Sequence, residues 1–341
     1  MTDGDARHGS PLVLVTGASG HVGANLVRAL LAAGRKVQTP VYHDTRALEG
    51  LPVEKIDCDI TDEGAVRRIL EGIDVVYHCA ARIAIRRHDE RDVVATNIEG
   101  TRHLVEAALA AGVRRFVYFS SIHAFSSRPE TEPVTETRPL VDRDTHMLYD
   151  WSKAEAERIV LRAVERGLNA VIVNPTAVIG PYDYKPSLMG EFLLLLIRKR
   201  LPGLVAGGFN WVDARDVAAG AMAAEKMGQS GERYILGGEW ESVAGLARMI
   251  GELTREKTVK LVIPSLLARV GVPFLALGAA LSGRRSLYTH DSLDTLAHYR
   301  LVSFDKARRA LGYAPRPLRE TLADTIAWFR EFGYLQKKDS R

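Results

Sequence analysis

The stretch VTGASGHVGANL, residues 15–26, sets three glycines, Gly17, Gly20 and Gly23, between an apolar run and a helical pattern. The run before it, PLVLVT (11–16), is continuously apolar and of buried-strand length. The segment after it, GANLVRALLAAG (23–34), carries apolar residues at Leu26, Val27, Leu30 and Leu31 and stops at Gly34. Small residues at such a turn let the backbone bend tightly and approach a pyrophosphate, whose charge rests on free amides at the helix N-terminus. The third glycine lets the helix pack closely on the sheet. The spacing is Gly-x-x-Gly-x-x-Gly, so the weight of the motif comes from its strand–turn–helix setting. A purely structural turn is the competing reading. A Walker-type phosphate loop is excluded, because no Gly-Lys-Ser/Thr follows.

The same alternation continues outward. Strand patterns near 36–41, 53–57, 74–80, 114–121 and 169–175 are separated by helical patterns at 62–71, at 97–112 and from Tyr149 to about Gly167. Continuous apolar strands between amphipathic helices predict a parallel sheet covered on both faces, a doubly wound α/β core of Rossmann type. Ligands of such a sheet bind at the carboxyl ends of the strands. Past residue 176 the alternation loosens into helical patterns at 187–200, 241–255, 264–281 and 317–332. The expected division is a dinucleotide-binding core over 11–176, with 205–237 returning to it, and a smaller, mainly helical substrate lobe from 177–204 and 238–335. Residues 1–10 and 336–341 read as flexible tails.

Composition narrows the class. The 341 residues are 46% hydrophobic and 26% charged, with a formal net charge of +4 and no Lys/Arg run of the kind that binds nucleic acid. The two cysteines, Cys58 and Cys79, have no metal-ligand spacing and read as buried thiols in a reducing compartment. No metal site is expected. The polar opening MTDGDARHGSP lacks the apolar core of a signal peptide, so a cytoplasmic protein is expected. The apolar segment 261–283 contains Arg269, Pro264 and Pro273, and reads as a buried or interfacial helix able to touch a membrane surface peripherally.

In HMLYDWSKAEAERIV (146–160), Tyr149 and Lys153 lie four apart and share one helix face. Alone, the pair reads as an amphipathic anchor beside a surface charge. As a device, the ammonium would pull a phenol from its ordinary pKa of about 10 toward working pH.

The segments TGASGHVG (16–23), VVYHCAA (75–81), FVYFSS (116–121), YDWSK (149–153) and NPTAVIGP (174–181) occur in order and in register. Together they resemble the extended short-chain dehydrogenase/reductase family, over nearly the whole chain. The similarity is to its dihydroflavonol-reductase and 3β-hydroxysteroid-dehydrogenase branch, and to hopanoid-associated sugar-epimerase-like proteins. The resemblance implies hydride transfer between a nicotinamide and a substrate carbon, with Tyr149 exchanging the proton and Ser121, rather than Ser120, holding the substrate oxygen. Lys153 would bond the nicotinamide ribose. Cofactor contacts are expected from the turn residues Gly17, Ser19, Gly20, His21, Val22 and Gly23, and from Tyr42, His43 and Arg46 after the second strand. Asp59 and Ile60, Ala80 and Ala81, and Pro175 and Thr176 complete the expected set. Asn97, at a helix start, reads as structural.

In KVQTPVYHDTRALEG (36–50), Asp44 comes late for the acid that an NAD enzyme offers the ribose 2′-hydroxyl, and Tyr42 stands where the branch typically shows arginine. NADP(H) is therefore slightly favoured over NAD(H). The segment LVAGGFNWVDARDVAAG (204–220) lacks the acid usual in nucleotide-sugar enzymes, and SLMGEFLLLLI (187–197) supplies leucines where a diphosphate would want arginines. An apolar carbonyl or secondary-alcohol substrate is expected, touched by His123 and Met189. A nucleotide-sugar epimerase or dehydratase with tightly held NAD is the alternative. A non-catalytic NADP-sensing regulator is the third class, against which the intact Ser121, Tyr149 and Lys153 argue. The resembling family commonly forms homodimers through two helices of the core.

Overall fold

A computed structural model describes residues 11–41, 44–83, 89–143, 147–264, 296 and 298–335. In chain order the core strands are β1 (Leu12–Thr16), β2 (Lys36–Val41), β3 (Glu54–Asp57), β4 (Val75–His78), β5 (Arg115–Phe119) and β6 (Ala170–Pro175). They are followed by β7 (Ala177–Ile179), β8 (Leu204–Val205), β9 (Gly208–Asp213), β10 (Arg233–Leu236), β11 (Glu239–Ser242) and β12 (Val262–Ile263). Seven strands form one sheet in the order β10-β6-β5-β4-β1-β2-β3, and every pairing in it is parallel. The strand order reverses between β1 and β4, which opens a crevice at their carboxyl ends.

The strands are buried on both sides. Val13 and Val15 pack one way, with Leu26, Val27 and Leu30 of α1 (His21–Ala32) and Val217 and Ala221 of α7 (Ala214–Met227). Leu14 and Val76 pack the other way, with Val66 and Ile69 of α2 (Glu63–Ile69), Leu104 of α4 (Gly100–Ala111) and Ile159 of α5 (Leu148–Glu165). Two-sided burial is why these strands read as continuous apolar runs rather than alternating ones.

The predicted helix at 97–112 begins further upstream. A short helix, α3 (Glu90–Val93), passes through a wide π turn (Val94–Glu99) into α4. Asn97 thus sits inside the turn, not at a helix start. Its side chain accepts from the Arg82 amide at 2.7 Å and donates to the Arg82 carbonyl and the Ser152 hydroxyl at 3.0 and 2.9 Å. Those bonds offset the poorer geometry of a π turn.

Residues 205–237 divide between sheets. β10 joins the large sheet beside β6, whereas β9 lies between β7 and β11 in a three-stranded sheet, and β8 pairs with β12. Around these gather α6 (Leu188–Ile197), α8 (Val243–Thr254) and α10 (Leu318–Glu331), whose Leu193, Leu246 and Phe329 share one apolar cluster. The remaining helix, α9 (Asp305–Leu311), packs Ala307 and Leu311 on the α1–α7 side of the large sheet. The helix expected over 264–281 falls almost wholly outside the described residues, as do the two tails. Among the described residues, no helix is long and apolar enough to cross a membrane.

Candidate active site

The glycine turn shows why each glycine is needed. Gly17 has φ +70°, and a Cβ there would lie 2.6 Å from the Ala80 amide nitrogen. A Cβ on Gly23 would lie 2.1 Å from the Gly17 carbonyl oxygen. The Gly20 amide closes the turn on the Gly17 carbonyl at 3.0 Å. Gly20 is the N-cap of α1; no side chain caps that end, and its first turn holds no acid. The amides therefore remain free for a pyrophosphate. Ser19 and Val22 are half-buried beside the turn. His21 turns its Nε2 to the Pro181 carbonyl at 3.1 Å, which the Asn25 amide also reaches at 3.0 Å.

Beneath the crevice lies a buried chain of hydrogen bonds. The Thr101 hydroxyl donates to the Asn97 carbonyl at 2.6 Å, so it must accept from His78 Nε2 at 2.9 Å. That leaves His78 Nδ1 to accept from the Thr16 hydroxyl at 2.7 Å, which in turn accepts from the Ala80 amide at 3.2 Å. The bonds fix His78 as the neutral Nε2–H tautomer, and burial pushes its pKa down to about 3.

Of the other expected cofactor residues, Ala80 and Ala81 follow β4, and Pro175 and Thr176 close β6 and follow it. The Asp59 carboxylate accepts from the Thr61 amide at 2.9 Å. Asp62, not Asp59, caps α2. Ile60 is buried against Gly100. Arg46 is already held: Asp44 accepts from its Nη2 at 2.7 Å and from its Nε at 3.1 Å, and these bonds bring the Asp44 carboxyl down to about 2. Tyr42 and His43 lie outside the described residues.

At the carboxyl ends of β5 and β6 the second group assembles. Ser121 follows β5 in extended conformation and accepts from the His123 amide at 3.2 Å. The Tyr149 phenol, on the first turn of α5, stands near enough to Ser121 for that hydroxyl to favour its ionised form. Burial pushes Tyr149 up to about 12; the Ser121 hydroxyl opposes this and Asp150 adds to it. The sequence expectation of a phenol pulled down by Lys153 is therefore corrected: the Lys153 ammonium donates instead to the Phe119 carbonyl at 2.5 Å. Burial pushes Lys153 itself down to about 8. Ser120, the neighbour of Ser121, is buried, and its hydroxyl finds no hydrogen-bond partner among the described residues.

Beside this group opens a cleft lined by Ile122, His123, Thr176, Ala177, Phe209, Asn210 and Tyr299. With the solvent-open part of its mouth included, its space is about 260 Å³. The Asn210 amide is committed to both backbone groups of Gly238, and the Tyr299 hydroxyl donates to the Phe125 carbonyl at 2.9 Å. His123 and Thr176, whose hydroxyl has no hydrogen-bond partner among the described residues, are thus the polar side chains left facing an apolar wall. The His123 Nδ1 lies 3.5 Å from the Asp150 carboxylate, and burial, reinforced by His298, pushes the ring down to about 4, so it is neutral at physiological pH. Met189 is not among the residues lining this cleft; it packs on the apolar cluster around α6.

Sequence reasoning missed Asp150, Asn174, Glu157 and Arg233. Only Glu157 carried a signal, a third step of four residues after Tyr149 and Lys153. Both thiols are free, with Cys58 pushed up to about 11 by burial. Among the described residues no cluster of His, Cys, Asp and Glu is arranged to hold a metal ion.

Residues 13–237 match the sequence model of the NAD dependent epimerase/dehydratase family. The sterol demethylase protein B of Methylococcus capsulatus is 38% identical over 94% of this chain and 99% of its own length. A putative dihydroflavonol 4-reductase of Synechocystis is 33% identical over 94% and 95%. Among solved structures, a dTDP-glucose 4,6-dehydratase of Streptomyces venezuelae with NAD bound superposes with a TM-score of 0.74 at 26% identity, covering 94% of this chain and 97% of that one.

Proposed function

Because the chain belongs to the NAD dependent epimerase/dehydratase family, we propose that it is an NAD(P)-dependent oxidoreductase acting on a ketone or secondary alcohol of a mainly apolar small molecule. The observation that carries this reading is the buried Tyr149 phenol held next to Ser121, beside a cleft walled by Ile122, Ala177 and Phe209. A bound nicotinamide supplies or accepts the hydride. The turn at Gly17, Gly20 and Gly23 with the N-terminus of α1 suits the pyrophosphate, and Asp59, Ile60, Ala80, Ala81, Pro175 and Thr176 are the further nucleotide contacts of this reading.

The chain's own residues handle the oxygen and the proton. Tyr149, neutral at working pH, donates its proton to the substrate oxygen in carbonyl reduction and takes it back in alcohol oxidation. Ser121 hydrogen-bonds that oxygen and fixes its place. Lys153 carries positive charge at neutral pH and bonds the nucleotide ribose. His123, uncharged, contacts the substrate in the cleft. Helices α6, α8 and α10 belong to a substrate lobe over the carboxyl edge.

The relatives named for a sterol and for dihydroflavonol support an apolar substrate. The likeness to a dehydratase with NAD favours the second reading, an epimerase or dehydratase using the same Tyr149 with a cofactor that never leaves. Arg46 carries the case for NADP(H) over NAD(H), and Asp44, which holds it, weakens that case. One experiment separates the readings: denature the purified protein and identify any nicotinamide nucleotide released by mass spectrometry. Stoichiometric NAD supports the recycling enzyme. An empty site that takes up NADPH reversibly supports the reductase. A protein that neither releases nor binds either nucleotide sinks both.

A further inference from the structure

Tyr149, Lys153 and Glu157 follow at four-residue steps on α5 and share its inner face. Glu157 is 0% exposed. Its oxygens serve separate partners: Oε2 accepts from Asn174 Nδ2 at 3.0 Å, and Oε1 lies 2.6 Å from Arg233 Nε. The same Asn174 amide donates to the Ser121 carbonyl at 3.2 Å. Arg233 reaches in from β10; its Nη1 donates to the Glu136 carbonyl at 3.3 Å, and its guanidinium lies 5.7 Å from the Phe125 ring centre. One carboxylate thus draws on the ends of β5, β6 and β10.

Stability alone does not account for it. Burying charges costs several kcal/mol per ion, and an apolar replacement of a buried ion pair is often at least as stable. The arrangement instead faces the two groups on which the chemistry turns. We propose that Glu157 is a positioning residue of the active site: its carboxylate counterbalances the Lys153 ammonium from the helix side and, through Asn174, fixes the strand end that presents Ser121.

The other groups around Lys153 do not share this task. Tyr149 is a neutral phenol, and His78 on β4 is neutral. Burial pushes the Cys79 thiol well above its usual range. The Tyr118 ring lies 4.8 Å from the ammonium, and its own hydroxyl is pushed far up by burial. Opposite Glu157 stands Arg233, and burial raises the Glu157 carboxyl while Arg233 chiefly opposes that. Burial lowers Lys153, and the neighbouring Glu157 carboxylate pulls it back up. Removing the Glu157 charge therefore moves the Lys153 titration to lower pH.

The inference rests on the reading that Lys153 meets the nucleotide ribose, and the test separates the two. Binding of NADH and NADPH to the full chain is measured by fluorescence from pH 6 to 9.5. In the parent, affinity falls as pH rises through about 8. Glu157→Gln, which keeps the shape and loses the charge, is expected to move that midpoint down by about one pH unit, the scale of one neighbouring charge, with affinity at pH 6 nearly unchanged. A Glu157→Gln midpoint equal to the parent's, with only the melting temperature lowered, overturns the proposal. Arg233→Gln is no substitute, since it removes the charge that chiefly opposes the burial of Glu157, so the carboxylate takes up a proton more readily. The second variant is Glu157→Asp, which keeps the charge. It is expected to hold the parent's midpoint, and a Glu157→Asp midpoint moved as far as that of Glu157→Gln also overturns the proposal. Lys153→Met is the control. If it keeps the parent's pH profile, the ribose reading fails, and the proposal falls with it.

Discussion

The Lys153 ammonium is tied to the Phe119 carbonyl oxygen at 2.5 Å, on the last residue of β5 and two residues before Ser121. The charge is spent on holding a strand end to a helix, so the phenol one turn away keeps its proton. That suits a proton donor better than a base. Tyr149, pushed up to about 12, stays neutral across the physiological range, and its ionisation should leave no inflection in carbonyl reduction below pH 10. Tyr149→Phe should lower turnover by about 10²- to 10⁴-fold, the usual worth of a positioned acid or base, while NADPH binding measured by fluorescence stays as in the parent. Retained turnover would remove Tyr149 from the mechanism.

The glycine turn separates cradle from punctuation. Gly23→Ala puts a methyl 2.1 Å from the Gly17 carbonyl, with backbone on the other side, so the turn must open. Nucleotide binding should fall by at least tenfold in a chain that still melts cooperatively. Gly34→Ala meets nothing within 4 Å and strains only a φ of +71°. It should cost about 1 kcal/mol of stability and leave nucleotide affinity alone. Equal affinities in the two variants would refute the cradle.

These contrasts mark what a sequence can carry. Val13, Leu14 and Val15 are apolar in succession because both faces of β1 are covered, so the parallel sheet was legible in the run itself. Tyr149 and Lys153 were legible as a helical pair. The direction of the Lys153 ammonium was not, since Phe119 reaches it only once β5 and α5 are packed. Asn97 could not be seen inside a π turn, because its partners Arg82 and Ser152 come from separate segments. Met189 sits in a leucine-rich helix whose pattern does not say which face meets the lobe interior. Asp59 and Asp62 both precede α2, and composition alone does not choose the cap.

Two histidines, His78 fully buried and His123 half-buried, make the fold sensitive to acid. His78 and His123 have folded pKa values of about 3 and about 4, against about 6.5 in an unfolded chain. Between those limits the unfolded state binds more protons, so stability rises with pH and is lost as pH falls below 6.5. Each histidine contributes a slope of up to about 1.4 kcal/mol per pH unit. Urea unfolding at pH 7, 5.5 and 4.5 should show this loss, and His78→Gln should flatten it by one histidine's share. A parent curve that is flat from pH 7 to 4.5 would mean these rings are protonated in the folded state.

The proposed preference for NADP(H) can be tested at the Asp44–Arg46 pair. The carboxylate occupies the guanidinium through Nε and Nη2 and adds negative charge where a 2′-phosphate would bring more. Both side chains are open to water, so the pair is weak in energy and easily exchanged. Asp44→Ala frees Arg46 to meet the phosphate and removes the repulsion, and NADPH affinity should rise several-fold while NADH affinity holds or falls. Arg46→Ala should weaken NADPH alone. Titrating both nucleotides against the parent and the two variants checks this directly. If Asp44→Ala instead weakens NADH and leaves NADPH unmoved, the acid is a ribose ligand and the chain is built for NAD.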